Sequence, residues 1–423
     1  MYALCDVNSM YASCEKVFDP SIRNRPVVVL TNNDGQICAA CGIAKRMGIG
    51  KNFVPFFQVR HELEKAGAVI RSSNYELYAA LSQKLMDTCA QFAPHSHIYS
   101  IDECFLFYGK HTAYVPPEGW IKHAHNIRRT VWREVRLPIG VGIGQTPTLA
   151  KAANHAAKRI KGYNGVAVID DTRTRKHILA NMGVTDVWGI GRRIGAKLNA
   201  QGITTALQLA NQPPRLIRKQ FSVLAESTVH ELNGRVMLNW DEVRAPKKEI
   251  YSSRSFGQRI TEALQLRYAL AAHVEIASAK LRKQGGLAAS MTIFATNSPH
   301  DSNKYYRKAV FHRFVVPTAD SRLMMAACTQ AVDVLFKEGI RFYRCGVGLL
   351  DLCDAKNYQF DLFAQTTGNP DFMQIMDSIN QKYGRGTVYV ASRGVEHKFA
   401  MRREFLSPQY LTRWSDLPRA YCI

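Results

Sequence analysis

Two rhythms of apolar and polar residues divide the chain. Near the start, Tyr2–Asp6 is a short apolar run that ends on a carboxylate, and Val27–Leu30 is a β-branched run closed by Asn32-Asn33-Asp34-Gly35, a strong turn signal. Both predict buried strands, with helix-compatible sequence from Ser9 to about Val17 between them. From Tyr75, apolar residues recur at Leu77, Leu81 and Leu85, one face of a helix. Ile98–Phe107 predicts two short strands interrupted at Asp102-Glu103, followed by a helix over 119–135, a strand over 139–143 and a helix over 148–160. This first part is a mixed α/β unit with an insertion after its first strand.

The pattern then changes. Over 166–240, short helical stretches are separated by Gly189, Gly191, Gly202, Pro213-Pro214 and Gly234, which predicts a small all-helical domain. Residues 241–249, with Pro246-Lys247-Lys248, are charged and lack an apolar period, so they read as a linker. Residues 250–353 carry a regular alternation: strand 250–256, helix 261–284, strands 287–296 and 308–316, helix 320–336, strand 342–352. That βαββαβ order is that of a split βαβ, or ferredoxin-like, motif. Residues 354–423 form a tail of mixed composition.

Composition sharpens this picture. With 423 residues the chain is long enough for about three or four units, each with its own core. No stretch approaches the roughly 20 apolar residues of a membrane helix, and the start lacks a signal-peptide pattern, so a cytoplasmic location is expected. The net charge of +22 is uneven: residues 151–350 hold 31 basic and 14 acidic side chains, against 16 and 12 over 1–150 and 9 and 8 over 351–423. A basic middle suits a phosphate backbone, because each neutralised phosphate releases counterions. Cys38 and Cys41 have C-x-x-C spacing but no second pair to complete a zinc site, so the cysteines read as reduced and mostly buried.

The candidate chemistry lies in three acids set among apolar strand residues: Asp6, Asp102 and Glu103. Charges in such places are costly unless they are paired or bind metal. Asp6-Val7-Asn8-Ser9-Met10-Tyr11-Ala12-Ser13-Cys14-Glu15, together with Tyr99-Ser100-Ile101-Asp102-Glu103, resembles the two metal-binding segments of Y-family translesion DNA polymerases. The resemblance covers essentially the whole chain. It implies a multidomain α/β architecture: an α+β palm (1–10 and 75–165), small fingers (11–74), a helical thumb (166–240), a βαββαβ little finger (250–353) and a C-terminal extension (354–423).

The resemblance also assigns residues. Asp6, Asp102 and Glu103, with the Val7 carbonyl, would hold two Mg²⁺ ions for nucleotidyl transfer. Tyr11 aligns with the steric gate whose flat ring leaves no room for a ribose 2′-hydroxyl. Lys45 and Lys158 resemble the triphosphate-binding cations, and the backbone N–H groups of Asn8, Ser9, Met10 and Tyr11 are expected at the phosphates because a helix begins there. The segment departs from the family pattern at Gly42, Ala39 and Met10, where Tyr, a hydroxyl residue and Phe are common.

Val187–Leu198 resembles a helix–hairpin–helix, in which Gly189 and Gly191 allow close approach to a phosphate and Arg192, Arg193 and Lys197 add charge. Arg254 is a candidate DNA contact of the little finger. Gln359-Phe360-Asp361-Leu362-Phe363 looks like a pentapeptide that binds the bacterial β sliding clamp, with Leu362 and Phe363 as apolar anchors. For the rest of the tail the resemblance implies a UmuD′ dimer and a RecA filament as partners. The implied activity is error-prone, template-directed DNA synthesis from dNTPs on primer-template DNA in the SOS response. A DNA-binding scaffold with a degenerate site and a two-metal nuclease are the competing readings. Intact Asp6, Asp102, Glu103 and Tyr11 argue against the first, and the gate and phosphate lysines against the second.

Overall fold

A computed structural model describes residues 1–109, 116–238, 246–301, 304–359, 368–395, 401–411 and 413–417. The chain divides into two compact units, residues 1–242 with 403–423, and residues 243–402.

The first unit opens with β1 (Tyr2–Val7), whose residues are buried save for Asp6 at intermediate exposure, and α1 (Met10–Phe18). Next come β2 (Val27–Leu30), β3 (Ile37–Ala40), the short α2 (Gly42–Arg46), α3 (Phe56–Lys65) and β4 (Val69–Ser72). Strands β3, β2 and β4 make a separate three-stranded sheet with β2 at its centre, which is why all four of its residues are apolar. Helix α4 (Tyr75–Ala90) starts where Asn74 caps it by accepting the Leu77 amide. After it come β5 (His95–Ile98), β6 (Glu103–Phe107), α5 (Trp120–Val135), β7 (Ile139–Gly144), α6 (Pro147–Arg159) and β8 (Val166–Ile169).

These strands form a five-stranded sheet in the order β5-β6-β1-β7-β8. Helix α6 lies tightly on β7 because Gly140, Gly142 and Gly144 face it: a Cβ at Gly142 would fall 2.1 Å from the Asn154 nitrogen. Thr146 caps α6 and Pro147 occupies its first turn, where no amide partner is needed.

The strand β8 corrects the helical reading of 166–240. Val166–Ile169 is fully buried and pairs parallel with β7, so this stretch belongs to the sheet. A four-residue apolar run can be a buried strand or a piece of helix, and here sheet pairing decides. Helical structure follows as α7 (Thr172–Ala180), α8 (Arg192–Ala200), α9 (Ala206–Ala210), α10 (Pro214–Gln220) and α11 (Val223–Leu232). They share a core of Leu179, Val184, Leu198, Leu209 and Val229 with the inner side of α6. Of the expected linker, residues 241–245 lie outside the described residues.

The second unit contains β9 (Ile250–Ile260), α12 (Ala263–Lys283), β10 (Gly286–Thr296), β11 (Arg307–Thr318), α13 (Ser321–Leu335) and β12 (Phe342–Asp354). The sheet is antiparallel throughout, in the order β11-β10-β12-β9. Each helix therefore crosses one intervening strand, the split βαβ arrangement expected from the sequence. The tail is not one piece. Helix α14 (Pro370–Tyr383) belongs to this unit, where Arg282 holds Asp377 through two hydrogen bonds of 2.6 and 2.8 Å. Residues from 403 onward belong to the first unit. No helix among the described residues is long and apolar enough to cross a membrane.

Candidate active site

The site is built at one end of the five-stranded sheet. In the antiparallel register of β1 and β6, Asp6 stands directly opposite Glu103, and the Val7 amide donates to the Asp102 carbonyl at 3.0 Å. Directly paired residues project to the same face. Asp102 sits in the bend just before β6, so a neighbouring acid reaches the same end of the sheet without strand alternation sending it away. The bend is held by Ser100, whose hydroxyl donates to Asp102 Oδ1 at 2.6 Å and accepts the Glu103 amide at 3.1 Å. The three acids, 96 residues apart in sequence between Asp6 and Asp102, are thus gathered at one place.

Each carboxylate has a partner. Lys158 donates to Asp6, and Lys151 donates to Glu103 Oε1 at 2.7 Å. Burial raises the Asp6 pKa, Lys158 opposes that rise, and the charges of Glu103 and Asp102 add to it. Clustered hard oxygens of one sign fit a divalent cation such as Mg²⁺, which offsets this repulsion. As the side chains stand, no three His, Cys, Asp or Glu among the described residues converge ready to hold an ion. Lys158 and Lys151 engage two of the acids instead.

Tyr11 lies in the first turn of α1 and stacks on Tyr78 of α4, with centroids 4.5 Å apart and planes at 15°. Tyr75 meets it edge-on at 6.2 Å. Lys45 reaches the start of α1, where its Nζ donates to Ser9 Oγ at 2.9 Å. One expectation needs correction. The Asn8 amide donates to the Pro138 carbonyl at 2.8 Å, which removes it from phosphate binding. The Met10 side chain is buried in the core, where its Sδ accepts from Cys14 Sγ, which leaves the expectation for its backbone untouched. Gly42 opens α2, three residues before Lys45.

In the hairpin before α8, Gly189 has a φ of +90° and Gly191 caps the helix, leaving Arg192, Arg193 and Lys197 exposed. Arg254 is exposed on β9, the edge strand, but shares strand parity with buried Ser252 and Phe256 and lies beside His273. The open face of that sheet instead presents Arg344 and Arg307 with Tyr251, Phe294 and Tyr305 around a cavity of about 450 Å³. Of the pentapeptide at 359–363, Gln359 is exposed and the other four residues lie outside the described residues.

Sequence reasoning missed Lys151. Its ammonium sits 4.5 Å from the Tyr99 ring centroid and 5.2 Å from that of Trp188, whose indole N–H donates to the Tyr99 hydroxyl at 3.2 Å. The signal was available: Lys151 and Lys158 are two turns apart, on one face of α6. Tyr78 was also missed, because a Tyr on a helix reads as core.

The impB/mucB/samB family matches residues 5–155, and its C-terminal domain matches residues 247–362. A domain of unknown function matches residues 370–420. The chain is 42% identical to Protein UmuC of Salmonella typhimurium over 99% of this chain and 100% of the relative. It is 40% identical to Protein SamB of Salmonella typhimurium and 38% identical to Protein MucB of Escherichia coli, each over 99% of both chains. Among solved structures it resembles a Y-family DNA polymerase chimera, Dbh-Dpo4(243-245)-Dbh, with a TM-score of 0.62 at 18% identity over 84% of this chain and 99% of that one. An insertion ternary complex of Dbh DNA polymerase matches at a TM-score of 0.52, with the same identity and coverage.

Proposed function

We propose, for a chain that belongs to the impB/mucB/samB family of Y-family polymerases, error-prone, template-directed DNA synthesis for translesion bypass and SOS mutagenesis. The carrying observation is the register that sets Asp6 opposite Glu103 beside Asp102, with two lysines in reach.

Asp6, Asp102, Glu103 and the Val7 carbonyl would hold two Mg²⁺ ions, which supply a lowered pKa for the primer 3′-hydroxyl and charge compensation at the leaving pyrophosphate. The chain's own groups do the rest. Lys158 is held at Asp6 and Lys45 at the start of α1, both placed to offset a triphosphate's charge. The Tyr11 ring, backed by Tyr78, closes the space a 2′-hydroxyl would need. The Gly189–Gly191 hairpin and the exposed Arg192, Arg193 and Lys197 grip the duplex backbone without reading sequence. Arg344 and Arg307, with Arg254 at the edge, offer a second basic surface for DNA. Residues 359–363 serve the β sliding clamp, and the tail beyond them serves a UmuD′ dimer and a RecA filament. The protein works in the cytoplasm, on the nucleoid.

Primer extension by the full chain with Mg²⁺, with and without dNTPs, tests this. The wild type extends the primer only when dNTPs are present. Asp102→Ala loses nucleotide addition while keeping primer-template affinity. Shortening of the primer without dNTPs would mark a nuclease, and normal extension by Asp102→Ala would remove the metal-ligand assignment.

A further inference from the structure

The last described residues of the chain return to the first unit and touch both helices that carry the nucleotide pocket. On the α4 side, Asn74 is fully buried. Its Oδ1 caps the helix, and its Nδ2 donates to Ser407 Oγ at 2.9 Å and to the Ser407 carbonyl at 3.3 Å. Two residues earlier on each segment, Ser72 and Phe405 make two bonds: the Ser72 amide donates to the Phe405 carbonyl at 3.0 Å, and the Phe405 amide donates to the Ser72 side-chain Oγ at 2.9 Å. Asp34 completes this join, accepting Ser72 Oγ at 2.6 Å and the Glu404 amide at 2.8 Å. On the α1 side, Tyr410 stacks on Phe18 at 5.0 Å. Between the helices, Glu15 of α1 is buried and accepts the Tyr78 hydroxyl at 2.6 Å; Ser407 lies against the same carboxylate. Tyr78 is the ring on which Tyr11 stacks.

We propose that residues 403–411 are a built-in buttress of the nucleotide pocket. By pinning α1 to α4 through Ser407 and Tyr410, they hold Tyr78 under Tyr11 and so set discrimination against ribonucleotides. The tail segment is a positioning element, placed so that Asn74 Nδ2, the Ser72 amide and Asp34 Oδ2 of the pocket wall take their partners from it. This rests on the reading of Tyr11 as a sugar gate.

Full-length Ser407→Ala and Tyr410→Ala test it. Ser407→Ala removes the shortest of these bonds and leaves Asn74 Nδ2 only its longer contacts to the Ser407 carbonyl at 3.3 Å and the Pro408 carbonyl at 3.4 Å. Loss of one such bond costs about 0.5–1.5 kcal/mol, so Ser407→Ala is expected to raise the dNTP KM and weaken rejection of ribonucleotides by about two- to tenfold, with kcat for dNTPs nearly unchanged. Tyr410→Ala shifts both the same way and less. Primer-template affinity stays at the wild-type value. Amide exchange at Leu77 and Tyr78 speeds up in Ser407→Ala. A lower melting temperature with unchanged sugar discrimination would overturn the proposal, since a merely structural tail predicts that result. Unchanged exchange at Leu77 would overturn it as well, whatever the activity. A wild-type chain that adds no nucleotide while the Leu77 response persists would instead strike the polymerase reading, and with it the sugar-selection half of this one.

Discussion

Glu15 shows how one side chain can couple the pocket to solution conditions. It is 1% exposed, between α1 and α4. Burial raises its pKa above the ordinary 4.5, while the Tyr78 and Ser407 hydroxyls and Arg71 act in the opposite direction without cancelling the rise. The fold therefore favours the protonated form. Its contribution to stability is fully present below the unfolded value and is lost as pH rises through the folded one. Glu15→Gln keeps an acceptor for Tyr78 and cannot ionise. Its melting temperature relative to the wild type is expected to climb with pH across that window, by at most about 1.4 kcal/mol of stability per pH unit for one proton. A difference that stays flat from acid to neutral pH would show that Glu15 titrates normally. The charge partners of the acids were hard to read from sequence for a related reason. Lys151 and Glu103 are 48 residues apart, and only the pairing of β1 with β6 and β7 brings α6 to them.

At the scale of elements, the seating of α6 on β7 decides where Lys151 and Lys158 stand. A Cβ on Gly142 would lie 2.4 Å from the Ala150 carbonyl and 2.6 Å from Asn154 Cα. These are backbone atoms and cannot swing aside. Asn154 also donates to the Gly140 carbonyl at 2.9 Å and the Leu4 carbonyl at 3.3 Å, which ties the helix to β1 as well. Gly142→Ala should cost about 1–3 kcal/mol, as overpacking commonly does, and should lower nucleotide addition because α6 must lift. An unchanged urea midpoint would mean that α6 lifts from β7 without cost. The sequence pattern reached such elements unevenly. The βαββαβ unit was legible because its helices are long and its strands run to 11 residues or more. Strands β3 and β4 were not, since Ile-Cys-Ala-Ala and Val-Ile-Arg-Ser give no alternation. The division of the tail was hidden for another reason: it depends on Phe405, Ser407 and Tyr410 singly, and isolated contacts leave no period. The candidate acids were legible because a carboxylate inside an apolar run is conspicuous, whereas Lys151 and Tyr78 resemble ordinary surface and core.

At the scale of the whole molecule, two units with separate cores need not respond alike to acid. The second unit contains a buried histidine in the core side of α12. His273 is 9% exposed, and its Nδ1 lies 3.0 Å from Ser252 Oγ of β9. Burial lowers its pKa from 6.5 to about 4, and the charges of Arg254 on β9, Arg344 on β12 and Lys280 on α12 push the same way. The unfolded chain binds this proton first as pH falls. The stability contributed by a neutral His273 is therefore full above about 6.5 and declines toward 4, by about 3 kcal/mol over the interval. Arg254 and Arg344, which suit DNA, thus strengthen the acid sensitivity, because both oppose a charged imidazole within. His273→Gln retains a hydrogen-bonding partner for Ser252 and removes the titration. Hydrogen exchange of β9 and α12 amides in the full chain should accelerate between pH 6.5 and 4 in the wild type and lose most of that acceleration in the variant, after correction for intrinsic exchange rates. Equal pH slopes in the two proteins would place the acid response elsewhere, and DNA bound to the basic face should weaken the wild-type response, because phosphates that neutralise Arg254 and Arg344 let the His273 pKa rise back toward its unfolded value.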